Sequence, residues 1–151
     1  MTHEEYKRII SYAIKNEEDA YLFYRDVAQK SKDKNISSLF EGFAKDELSH
    51  KVLLEGYLSG SVKSLKFATT SDYKVAESID KPKLSIDMKP SDAIALAMKN
   101  EEEAMNMYIE FAGLSNDPDQ KETFLDLAEM EKGHKAKLED LYVSAAFPEA
   151  W

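Results

Sequence analysis

Apolar residues recur at three- and four-residue spacing in four stretches of the chain. In the first, about residues 3–30, Ile10, Ala13, Ile14, Ala20, Tyr21, Tyr24 and Ala28 fall on one stripe, the signature of an amphipathic helix. The second, about 35–58, places Phe40, Phe43, Ala44, Leu54 and Tyr57 in the same way. The third runs over about 91–112, with Ser91 as the expected N-cap, and the fourth over about 118–145, where Asp117 caps and Pro118 takes the first helical position. Gly113 and Asn116 mark a tight turn between the last two. Residues 59–90 show no sustained period, but Phe67, Tyr73, Val75 and Ile79 offer apolar anchors, and a short helix is expected within 73–79. Short loops inside each pair and one long connection between the pairs predict an all-α fold: a four-helix bundle of two helical hairpins joined by a packed crossover, in a single domain spanning 1–151.

The two pairs are copies of one another. Residues 9–58 align without a gap on residues 93–142, an offset of 84, with 18 identities in 50 positions. The matches include Lys15-Asn16-Glu17-Glu18 with Lys99-Asn100-Glu101-Glu102, Ala20 with Ala104, Tyr24 with Tyr108, Phe40 with Phe124 and Ala44 with Ala128. A hairpin used twice implies an approximate two-fold axis, and whatever lies on that axis is built from matching residues.

Candidate chemistry sits on the buried stripes. Glu17 is in register with Ile10, Ala13, Ala20 and Tyr24, and Glu101 with Ile94, Ala97, Ala104 and Tyr108. The second helix reads Phe40, Phe43, Glu47, His50, Leu54, and the fourth reads Phe124, Leu127, Glu131, His134, Leu138. Residues at i and i+3 share a helix face, so each Glu-x-x-His pair converges on one point. Four ionised carboxylates in one dry core would be desolvated and would repel each other. No basic residue is expected on these stripes at the same level, whereas two divalent ions would balance four carboxylates and two neutral imidazoles. Such a mixed oxygen and nitrogen donor set suits Fe, Mn, Co or Zn. The neighbouring Glu18, Asp19, Glu102 and Glu103 read as solvated charge, and His3 as an exposed terminal residue. Tyr24 and Tyr108, two turns beyond their glutamates, either pack in the core, donate a hydrogen bond to a ligand carboxylate or take part in redox chemistry.

Composition narrows the field. The 151 residues carry 20 Lys and Arg against 29 Asp and Glu, a net charge of −9, which disfavours a phosphate backbone as partner. Cysteine is absent, which removes disulfides, thiolate nucleophiles and Cys-held iron. The polar N-terminus and the lack of any apolar run near 18 residues predict neither a leader nor a membrane span, and hence a cytoplasmic protein.

A Glu from each of two helices and a Glu-x-x-His from each of the other two is the di-metal carboxylate pattern of ferritin-like bundles. Through Glu17-x-x-Ala20-x-x-x-Tyr24, Glu47-x-x-His50, Glu101-x-x-Ala104-x-x-x-Tyr108 and Glu131-x-x-His134, the chain resembles the rubrerythrin branch of that superfamily over roughly 6–142. The resemblance implies a ferritin-like domain binding two metal ions, iron first and Mn or Zn as alternatives. Glu47 and Glu131 would bridge the ions, Glu17 and Glu101 would be terminal ligands, and His50 and His134 would bind one ion each. It implies an oxidoreductase of peroxidase or oxidase type, reducing peroxide or dioxygen in oxidative-stress defence with electrons from an external donor protein, and a homodimer. The rival readings are an iron-handling ferroxidase and a helical interaction module with a structural metal. The chain departs from the family twice: it has no Cys-rich rubredoxin-like domain, and Ala104 stands where a further third-helix carboxylate is usual. Ala104 has no ligand atom, so a nearly symmetric six-ligand site is expected. Phe147 and Trp151, beyond the fourth helix, are expected to pack on the bundle or on a second subunit.

Overall fold

The computed structural model describes residues 2–60, 72–83 and 89–146. Among them are α1 (His3–Lys30), α2 (Lys34–Ser59), a 3₁₀ turn (Ala76–Ser78), α3 (Pro90–Leu114) and α4 (Pro118–Ala146), with no strand. The fold is all-α, and each helix ends within two residues of the span its periodicity predicts. The chain divides into two compact units, Met1–Leu65 and Lys66–Trp151. In the first, α1 packs along α2; in the second, α3 packs along α4 and also meets the 3₁₀ turn.

Local chemistry sets the helix starts. Thr2 and Glu5 form a capping box at α1, each side chain taking the other's backbone N–H at 3.1 and 2.8 Å, so two otherwise orphaned donors are satisfied. Asp33 caps α2, its carboxylate accepting from the amides of Asn35 at 2.8 Å and Ile36 at 3.3 Å. Asp117 does the same for α4 through Asp119 at 2.8 Å and Gln120 at 3.3 Å, with Pro118 at the first helical position as expected. Gly60 ends α2 with φ 79°, a left-handed conformation that a residue without Cβ adopts freely.

Three local expectations are corrected. Ser91 is not a cap: α3 begins one residue earlier, with Lys89 at the boundary and Pro90 in the first turn, because proline's fixed φ and missing N–H suit that position. Gly113 does not break α3, which continues to Leu114. Tyr73 is not an apolar anchor but 56% exposed. The expected short helix within 73–79 is present as the 3₁₀ turn. Phe67, Phe147 and Trp151 lie outside the described residues.

Most stripe positions are buried as their spacing requires, while Ile14, Ala20, Tyr21 and Ala104 are half-buried. In the first unit Tyr24, Phe40 and Phe43 form an aromatic cluster with ring centroids 5.5 to 5.7 Å apart, and Ile10, Ile36 and Leu54 are fully covered. In the second, Phe124 meets Phe111 at 5.6 Å, and Tyr108, Leu127 and Met98 are buried. Each such side chain contributes on the order of 1.5–3 kcal/mol through the water it sheds.

Candidate metal centre

In the first unit, α1 supplies Glu17 and α2 supplies Glu47 and His50. All three are buried, at 2% to 7% exposure. The Nδ1 atom of His50 lies 3.3 Å from Glu17 Oε2 and 3.7 Å from Glu47 Oε2. Helix geometry explains the meeting. Glu47 and His50 are one turn apart on one face, and the α1 stripe that carries Ile10 and Tyr24 into the core carries Glu17 with it. Two carboxylates against one imidazole nitrogen, all withdrawn from water, is a costly arrangement for bare side chains. A cation bound by carboxylate oxygen and imidazole nitrogen relieves it, so this donor set fits a transition-metal ion.

The second unit carries the matching residues on α3 and α4. Glu101 and Glu131 are buried, at 6% and 1% exposure, and His134 is half-buried one turn beyond Glu131. Tyr24 and Tyr108 are both buried, Tyr24 within the aromatic cluster of its own unit. His3 is exposed, as expected. Of the acidic neighbours, Asp19 is exposed and pairs with Lys15 at 3.0 Å, and Glu103 is exposed and pairs with Lys81 at 3.1 Å. Glu102 is corrected: its side chain is largely covered and pairs with Lys99.

The larger correction concerns Lys135. It lies on α4 one turn beyond Glu131 and is fully buried, a basic residue that the reading of the stripes at the level of the glutamates leaves out. Its ammonium is engaged by three other carboxylates, Asp72 Oδ1 at 2.6 Å, Glu77 Oε1 at 2.8 Å and Glu139 Oε2 at 3.1 Å. Burial alone would lower the Lys135 pKa, but hydrogen bonds to the three carboxylates outweigh it and hold the pKa above its ordinary value. Burial likewise pushes the Asp72 carboxyl up, and the Lys135 ammonium together with the Lys74 amide brings it below its usual value. Lys51 stands at the same spacing from Glu47 and is partly exposed, so the spacing of Lys135 from Glu131 does not by itself signal its burial. Its partners Asp72 and Glu77 come from a segment with no period, which gives no sequence signal at all.

Paired helical hairpins, each with an inward Glu on one helix and an inward Glu-x-x-His on the next, define a carboxylate and histidine metal-binding class within the ferritin-like proteins. The family model for rubrerythrin matches residues 8–142, and the chain belongs to that family. No curated protein matches the chain. Among solved structures, the hypothetical protein Pfu-1136390-001 from Pyrococcus furiosus is similar at TM-score 0.59 and 24% identity, over 93% of this chain and 90% of that one; this likeness speaks to the fold alone. No described helix is long and apolar enough to cross a membrane.

Proposed function

We propose that the protein holds two metal ions, iron in the first place, through Glu17, Glu47, His50, Glu101, Glu131 and His134, and that it reduces peroxide or dioxygen in oxidative-stress defence. The observation that supports this reading is the first unit's own set, two buried carboxylates within 3.3 and 3.7 Å of one buried imidazole nitrogen. Family membership supports the second half of the site, where Glu101, Glu131 and His134 occupy the matching positions.

Two bound ferrous ions would each supply one electron, so hydrogen peroxide, two electrons and two protons become two waters. The chain's own groups have simpler tasks. Because Nδ1 of His50 is the nitrogen turned towards the carboxylates, the imidazole proton belongs on Nε2 when a metal is bound. The apolar residues around the stripes keep bulk water from the carboxylates, which strengthens their hold on a cation. Ala104, a helical residue of α3 without a donor atom, leaves the set at six ligands, so His50 and His134 are expected to stay on the metal in both oxidation states. The external electron donor, the homodimer and the cytoplasmic setting belong to the same proposal.

The test is anaerobic loading with Fe(II), metal analysis, and peroxide consumption with a reduced donor. Two irons per chain that are oxidised by peroxide and reduced again by the donor support the reading. Uptake of many irons per chain identifies iron handling instead, and a redox-inert ion whose removal only lowers stability identifies a structural metal.

A further inference from the structure

Residues 72–80 bring charged groups to α3 and α4 in addition to the fully buried Ala76 and the half-buried Val75 and Ile79. Asp72, Glu77 and Glu139 each present a carboxylate oxygen, and the three oxygens lie within 4.8 Å of one another. That is the spacing of oxygens around a hard cation. The Lys135 ammonium sits among them, at 2.6, 2.8 and 3.1 Å, and neither Lys135 nor Glu139 has any exposed surface. Glu139 Oε2 also accepts from the Ala76 amide at 3.0 Å, while the Ala76 carbonyl accepts from Lys99 Nζ at 3.0 Å. The second Glu139 oxygen, Oε1, is buried and takes no hydrogen bond from any described residue. A buried carboxylate oxygen left without a partner is costly, and a cation would relieve it. A cavity of about 520 Å³ borders the cluster at Glu139, lined also by Tyr73, Val75, Asp140, Val143 and Ser144.

We propose that Asp72, Glu77 and Glu139 form a cation site whose resident cation is the Lys135 ammonium, that its occupancy clasps residues 72–80 onto α4, and that without the ammonium the same oxygens take a hard divalent cation. The reasoning is electrostatic. Of the three carboxylates only Glu139 is fully buried, with Asp72 half-buried and Glu77 exposed, and removing the cationic partner of a buried carboxylate strongly destabilises what remains. The protein meets the need with a covalently attached cation, so the clasp holds whatever the metal supply. The site does not depend on the di-metal reading, since none of its members is a proposed ligand of that centre.

The experiment follows hydrogen exchange of the Ala76 amide in the full-length, metal-loaded protein in calcium-free buffer. In Lys135→Met, Ala76 is expected to exchange about 100-fold faster than in the wild type, and Ca²⁺ at about 1–10 mM is expected to recover at least about tenfold of that loss. Lys135→Met combined with Asp72→Asn should open equally and not respond to Ca²⁺. Unchanged Ala76 exchange in Lys135→Met, or an opening that Ca²⁺ does not reverse, overturns the proposal. Should Lys135→Met fail to fold, Asp72→Asn alone, altered only in the connecting segment, is expected to speed Ala76 exchange about tenfold; exchange at the wild-type rate in that variant overturns it equally. Because the di-metal ligands are untouched in every variant, a failure here is distinguishable from a failure of the proposed function.

Discussion

The two hairpins carry the same charged residues at matching repeat positions and treat them differently. Lys51 and Glu55 of α2 correspond to Lys135 and Glu139 of α4. Lys51 is partly exposed and pairs loosely with Glu18 at 3.5 Å, and Glu55 is exposed. Lys135 and Glu139 are wholly buried and 3.1 Å apart. The pattern recurs one helix earlier. Lys15 pairs with Asp19 in solvent, while its counterpart Lys99 is covered and donates to the Ala76 carbonyl. In the second unit residues 72–80 lie over these positions. The environment of a charged side chain is set here by whether another segment covers it, and the helical period says nothing of that. By contrast, Glu17, Glu47, Glu101 and Glu131 are buried in both copies, because their place on the apolar stripe is itself the cause.

The largest effect should come from testing whether the copies act as one centre. Glu47→Ala and Glu131→Ala are each expected to reduce bound metal from two ions per chain to none, as bridging ligands would, while His50→Ala mainly weakens one ion. Metal analysis after gel filtration decides it. Loss of a single ion from either glutamate variant would mean that the hairpins bind metal separately.

Next in size is the contrast between the two lysines. Lys135→Met is expected to cost about 3–5 kcal/mol in urea unfolding, since it strands the fully buried Glu139 carboxylate. Lys51→Met should stay within about 0.5 kcal/mol, as for other surface pairs. Equal effects would show that the burial difference carries no energy.

The helix caps should not distinguish the hairpins. Asp33→Ala and Asp117→Ala each free two backbone amides and are expected to cost about 1 kcal/mol apiece by the same measurement.

The smallest effect is that of pH on the clasp. The Asp72 carboxyl titrates below its usual value when folded, so its contribution is present above about pH 4 and is lost as pH falls through the folded value. Lys135 titrates above its usual value, so its contribution is present below about pH 10.4 and fades only as pH rises through the folded value. Exchange of the Ala76 amide, corrected for its intrinsic pH dependence, is therefore expected to be flat between about pH 5 and 9. A marked loss of protection within that window would mean that another group controls the segment.

What the sequence by itself determined is whatever follows from one helix at a time. Spacing placed Glu17 beside Ile10 and Tyr24, and Glu47 one turn from His50, because side chains three and four apart share a face whatever surrounds them. The 84-residue offset pairs these residues with Glu101, Glu131 and His134 by sequence alone. The ends of the helices were legible where a side chain does the capping, as at Asp33 and Asp117, and misread at Ser91, where proline geometry sets the start instead. Only the tertiary structure decided the fate of residues 72–80. Ala76 is small and Asp72 and Glu77 are acidic, so nothing in their period marks them for contact, and Tyr73 suggests the wrong anchor. Their binding depends on a lysine 63 residues further on from Asp72, and ion pairing across that distance leaves no periodic trace in the chain.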